Sequence, residues 1–237
     1  MVGISMAFHD AENYCPIMGT TSSMLEKLIK IPVDSLVLSG DLAIPPSARS
    51  LVIFAHGSGS SRKSPRNRFV ATVLHKASIV TLLFDLLTAR EDTDFNMRFN
   101  IELLTDRLEA VTLWVQAQPD LAGFPIGYFG ASTGAAAALG AAADLPDRIR
   151  AVVSRGGRPD LCPRDLKLVR CPTLLIVGGL DDVVIRLNEP AYSALQVEKE
   201  LRIVPEATHL FEEPGTLEEA ARLASEWFVK HLASPIR

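Results

Sequence analysis

Apolar and polar residues alternate along this chain in two rhythms. The first is a short apolar run with almost no polar break. Ser50-Leu-Val-Ile-Phe-Ala is one, and others recur at Ser78–Phe84, Ile126–Phe129, Ala151–Val153, Thr173–Val177 and Leu201–Val204. Runs of this length, bounded by turn residues, suit strands covered on both faces. The second rhythm is helical. Ile101, Leu104, Leu108, Val111 and Val115 share one face of a helix predicted over Asn100–Gln118. Further helices are predicted over Arg68–Lys76, Ser132–Ala143 and Leu217–His231. The alanine-rich Ser132–Ala143 suits close packing on a sheet. Ahead of all these, Ile31-Pro-Val-Asp-Ser-Leu-Val-Leu, Gly40 and Asp41-Leu-Ala-Ile alternate as a β-hairpin does. Strands alternating with helices make βαβ units. The expectation is an α/β fold with a mostly parallel twisted sheet and helices on both faces.

Residues 1–23 show no period and read as a poorly ordered tail, leaving residues 24–237 as one domain. Net charge is −4, with 48% hydrophobic and 22% charged residues. That balance gives no global attraction to nucleic acid or to an anionic membrane. No stretch approaches the ~18 apolar residues of a membrane helix, and the start lacks the layout of a signal peptide. Cys15, Cys162 and Cys171 form no Cys-x-x-Cys pair, which predicts a reducing, cytoplasmic setting and no metal site.

The chemistry concentrates where a predicted strand meets a predicted helix. Ile126-Gly-Tyr-Phe-Gly-Ala-Ser-Thr-Gly-Ala contains Gly130-x-Ser132-x-Gly134. A nucleophile elbow needs a sharp strand-to-helix turn, with glycines where backbones crowd. In this reading Ser132 is the nucleophile; in the other, it merely caps a helix after a glycine-tolerant turn. The order serine, acid, histidine then selects partners. Asp181 follows the strand Thr173–Val177 in Gly178-Gly-Leu-Asp-Asp, with Asp182 the alternative. Both acids could instead cap the next turn. His209 follows the last strand in Pro205-Glu-Ala-Thr-His and is the predicted base, its tautomer fixed by Asp181. Oxyanion donors are predicted from the backbone N–H of Thr133 and from the loop His56-Gly-Ser-Gly-Ser, at Ser58 or at Gly57. His56 itself reads as a structural hydrogen-bonder. The same loop resembles a phosphate cradle, but no Gly-Lys-[Ser/Thr] follows it and Arg62 occupies the last glycine position of a Gly-x-Gly-x-x-Gly pattern.

Two basic clusters lie near these residues in sequence: Arg62, Lys63, Arg66 and Arg68, and then Arg155 with Arg158. Guanidinium forks recognise carboxylate or phosphate, so Arg62 or Arg155 could hold an anionic part of a substrate. The competing reading is a solvated rim of internal ion pairs.

The stretches His56-Gly-Ser-Gly-Ser-Ser-Arg-Lys-Ser-Pro-Arg-Asn, Gly127-Tyr-Phe-Gly-Ala-Ser-Thr-Gly-Ala, Ser154-Arg-Gly-Gly-Arg-Pro-Asp and Ala207-Thr-His-Leu-Phe-Glu-Glu-Pro-Gly resemble the dienelactone-hydrolase-like branch of the α/β hydrolases. The resemblance spans about Ile31 to Leu232. It implies a single-domain α/β-hydrolase fold and a carboxylic-ester hydrolase with a Ser132–Asp181–His209 triad. True dienelactone hydrolases carry cysteine as nucleophile; here the elbow holds serine, which puts a lactone substrate in doubt. The short segment between Val153 and Thr173 leaves no room for a large cap, so an open site for small or medium esters is expected, needing no cofactor or metal. A thioesterase, acyltransferase or peptidase would use the same triad. The rival from another class is a catalytically silent binding protein of this fold.

Overall fold

The structure, a computed structural model, describes residues 23–162 and 166–233. The tail expected over residues 1–23 lies, but for Ser23, outside them. The chain enters through an antiparallel hairpin, β1 (Leu25–Val33) and β2 (Leu36–Ile44), turned at Asp34 with φ 52°. β1 begins six residues before the predicted hairpin. Its first half is an edge that leaves Leu25 and Leu28 exposed, so no buried face marks it in the sequence.

Six more strands follow: β3 (Ser50–Ala55), β4 (Ile79–Phe84), β5 (Ile126–Ala131), β6 (Ile149–Arg155), β7 (Thr173–Gly178) and β8 (Lys199–Val204). They join one eight-stranded sheet in the order β1-β2-β4-β3-β5-β6-β7-β8. β2 pairs with β4 antiparallel, and every pair from β4 to β8 is parallel. The apolar runs are explained by this placement: β3, β4, β5 and β7 are buried at every residue.

Helices cover both faces. α1 (Pro65–Lys76) and α6 (Thr216–Leu232) bury Val70, Leu74, Ala224 and Phe228 against one face. A short turn, α2 (Phe95–Arg98), leads into α3 (Ile101–Gln116). α3 and α4 (Thr133–Asp144) cover the other face, and every residue of α4 from Thr133 to Ala143 is buried. Alanine lets that helix lie close to the sheet, so its N-terminus stays fixed at the end of β5. α5 (Asp182–Ala194) was not expected: Pro190 lies inside it, and its apolar face reduces to Val184 and Ala191 around a buried Asn188. Between β6 and β7 the described residues contain only the 3₁₀ turn Pro159–Leu161 as helical structure, in keeping with the absence of a large cap. Among the described residues no helix is long and apolar enough to cross a membrane.

Candidate active site

The parallel strands β3 to β8 deliver their C-terminal ends to one edge of the sheet, where open α/β sheets bind ligands. Ser132 sits between β5 and α4 with φ 52° and ψ −121°. A non-glycine residue held there carries roughly 1–3 kcal/mol of strain, which persists only where the surroundings enforce it. The enforcement is main chain against main chain. A Cβ on Gly134 would come within 2.2 Å of the Ala55 carbonyl oxygen, and one on Gly130 within 2.4 Å of the Ala135 Cα. Ser132 N–H donates to the Arg155 carbonyl (3.2 Å), and its own carbonyl accepts from Arg158 N–H (3.1 Å). The elbow is thus clamped by β6 and the loop beyond it.

The predicted acid and base meet. His209 Nδ1–H donates to Asp181 Oδ2 at 2.7 Å, with 13% of the Asp181 side chain and 39% of the His209 side chain exposed. Asp181 also caps α5 through Oδ1, which accepts from Val184 N–H at 3.3 Å. The two readings of this residue, orienter and helix cap, therefore hold together. Asp182 is an exposed residue of the helix's first turn, and the carboxylate on His209 is that of Asp181. The histidine loop is held by Glu213, whose carboxylate accepts from Thr208 N–H (3.0 Å) and Thr208 Oγ1–H (2.6 Å). Ser132 and His209 line the same cavity of about 180 Å³, without a hydrogen bond between them among those found. Such bonds are often long in unliganded sites and tighten around substrate.

Thr133 N–H, in the first turn of α4, has no acceptor within the helix. Ser58 N–H, however, donates to Thr133 Oγ1 at 2.9 Å. It ties the β3–α1 loop to the elbow and is not free in this conformation. Gly57 lies close to Ser132: a Cβ added to it would come within 3.0 Å of the Ser132 Cβ. His56 accepts the Leu86 N–H on Nε2 (3.0 Å), which puts its proton on Nδ1 facing the Gly57 carbonyl (3.0 Å). Burial pushes its pKa below the usual histidine range, so the ring stays neutral and fixes the loop.

The arginines divide. Arg62 does not reach the cavity: its guanidinium pairs with Asp85 (2.6 Å) and Asp41 (3.3 Å), and its N–H donates to Asp85 (2.9 Å). This corrects its expected place among substrate-binding residues; it is a structural tie between its loop, β2 and the residue just past β4. Arg158 is held bidentate by Asp160 at 2.8 Å on both arms. Arg155 does line the cavity, buried between Phe129 and Phe211 with its guanidinium carbon 5.9 and 5.8 Å from the ring centres. Arg66 and Asn67 also line it. Arg66 was named only as part of a basic cluster and Asn67 not at all, because the predicted helix began at Arg68. Ser64 as N-cap and Pro65 at the first helical position were the available signal that α1 starts earlier. Among the described residues no group of three or more His, Cys, Asp or Glu side chains could hold a metal ion.

No family model matches the chain. Two Mycobacterium tuberculosis proteins, from strains CDC 1551 / Oshkosh and H37Rv, are each 55% identical to it over 207 residues and carry the name "Putative phosphoribosyl transferase". The match covers 87% of this chain, which spans 47% of their length. The crystal structure of a dienelactone hydrolase from Anabaena variabilis is 53% identical, with a TM-score of 0.86 over 89% of this chain and 99% of that one. An α/β serine hydrolase without lid from Xanthomonas campestris shares the fold at 19% identity and a TM-score of 0.71, over 88% of this chain and 96% of that one. At 53% identity to a dienelactone hydrolase over 89% of this chain and 99% of that one, the protein belongs to the dienelactone-hydrolase-like branch of the α/β hydrolases.

Proposed function

We propose that this protein is a serine hydrolase that cleaves small or medium carboxylic esters through an acyl-enzyme. The observation that carries the reading is the strained, positive-φ backbone of Ser132 at a strand-to-helix turn, in one cavity with a histidine oriented by a carboxylate. In this mechanism Ser132 Oγ attacks the ester carbonyl while His209 Nε2 takes its proton. The negative charge that develops on the carbonyl oxygen is met by Thr133 N–H at the start of α4 and by a second N–H from the β3–α1 loop. That second donor is Gly57, or Ser58 once it leaves Thr133. Collapse breaks the C–O bond, and the departing alcohol takes the proton from His209. Water, deprotonated by the same histidine, then releases the acid and restores Ser132.

Exposure of His209 and the lack of a large cap favour substrates that enter from solvent. The name of the mycobacterial relatives belongs to chains of which this one spans 47%. The test is labelling by a fluorophosphonate probe, followed by turnover of p-nitrophenyl acetate. Wild type is expected to label and turn over, and Ser132→Ala to lose the label with a rate loss of at least ~10³-fold. Folded wild type that neither labels nor turns over would favour a silent binding protein. Matched ester, thioester and amide substrates separate an esterase from other users of the triad.

A further inference from the structure

The cavity beside Ser132 contains a cation that no anion among the described residues meets. Arg155 is 7% exposed, and its Nε and Nη1 have no hydrogen-bond partner among the described residues. Its Nη2 makes one long contact, 3.4 Å, with Asn67 Oδ1. None of the described residues lining the cavity is a carboxylate. The Arg62 and Arg158 guanidinium groups, by contrast, have acids against them. Burial, and secondarily the charge of Arg66, depresses Arg155 to about 10, which still leaves it charged at neutral pH. A buried cation is costly unless something pairs with it.

Other donors converge on the same space. Accepting from Arg155 through Oδ1 leaves the Asn67 amide nitrogen free to donate. Asn67 and Arg66 belong to the first turn of α1, a twelve-residue helix whose N-terminus favours negative charge. Ser60 and Ser64 add hydroxyls from the loop before it. Arg66 is shared with Glu212 at 2.9 Å, an acid exposed at the rim.

We propose that this cavity takes an ester whose acyl or alcohol part bears a phosphate group, held by Arg155 with Asn67 and the first turn of α1. The substrate class rests on the hydrolase reading; the anion site does not. A phosphate fits better than a carboxylate for two reasons. Donors from β6, α1 and the loop between β3 and α1 suit a tetrahedral group with three oxygens, whereas a planar carboxylate is satisfied by one guanidinium fork. Two guanidinium groups near one another also favour a dianion. The phosphate ester bond is untouched; only the carboxylic ester is cleaved, as above.

The experiment compares 1-acetylglycerol 3-phosphate with 1-acetylglycerol by acetate release, and 2-acetoxypropanoate as the carboxylate counterpart. Wild type is expected to prefer the phosphorylated ester over the neutral one at least tenfold in kcat/KM. In Arg155→Met that ratio is expected to fall at least tenfold, mainly through KM, with Arg155→Lys between. Arg155→Met replaces an unpaired buried charge by an apolar chain of similar length, so it is expected to fold and to melt no lower than wild type. A melting temperature well below wild type would assign Arg155 a structural role and overturn the proposal. So would a ratio that does not change, or a wild type that prefers the carboxylate ester. Binding is read separately in Ser132→Ala, by the rise in melting temperature with inorganic phosphate at constant ionic strength. That rise should vanish in Ser132→Ala/Arg155→Met. If wild type fails to label at Ser132 while phosphate still binds through Arg155, the hydrolase reading fails and the anion site stands. If phosphate does not bind, the anion site fails whatever the labelling shows.

Discussion

Asp181 does two things with two oxygens, and they can be separated. Oδ2 accepts from His209 and Oδ1 caps α5. Asp181→Asn keeps an oxygen for the cap but no longer holds the histidine tautomer, so kcat is expected to fall about 10³–10⁴-fold with melting nearly unchanged. Asp181→Ala loses both, and calorimetry should add about 1 kcal/mol of lost stability to the same kinetic defect. Thr133 is a second such residue. Its hydroxyl accepts the Ser58 N–H across 2.9 Å, so Thr133→Val leaves that N–H without an acceptor. The expected outcome is a loss of about 1–2 kcal/mol and a fall in kcat of about tenfold, read by denaturant titration and ester turnover. The sequence could name Ser132, Asp181 and His209, because their order and their places after strands are local. It could not separate Arg62 from Arg155. That distinction depends on Asp41 and Asp85, which strands far apart in sequence bring against Arg62.

Among the strands, those buried on both faces were the most legible, and the exposed first half of β1 was not legible. β3, β4, β5 and β7 are buried throughout, so each shows as an unbroken apolar run. α5 hides because Asn188, a polar residue, occupies the middle of its buried face, where its amide donates to the Gly157 carbonyl (3.0 Å) and to Val184 (2.8 Å). The first turn of α1 hides because Arg66 and Asn67 carry no apolar signal. The join of β5 to α4 sets a stricter condition than either element. Gly134→Ala would drive a methyl into the carbonyls of Ala55 and His56, at 2.2 and 2.5 Å. The expected cost is about 3 kcal/mol or a failure to fold, checked by circular dichroism melts.

For the whole molecule, pH acts on stability at a place remote from the chemistry. Burial, with the charge of Asp144 beside it, raises Glu109 on α3 to about 7. The folded state therefore holds a proton that the unfolded chain has already released above the ordinary glutamate range. Stability contributed by this group is present below about pH 4.5 and is lost as pH rises towards 7. Glu109→Gln should raise the melting temperature at pH 8 and leave it little changed at pH 4; an equal rise at both would count against the linkage. The fold class itself was legible because βαβ alternation leaves few topologies. The backbone contacts at the elbow have one more consequence. Because Ser132 is positioned by main chain meeting main chain, while much of the cavity wall is made of side chains from loops and the start of α1, positioning and lining draw largely on different sets of positions. If the proposed hydrolysis holds, laboratory selection for a new acyl preference can draw on Ser60, Arg66 and Leu210. A saturation library scored for both folding and turnover should find those sites permissive and Gly130 and Gly134 closed, so descendants of this chain can change diet without rebuilding the machine that digests.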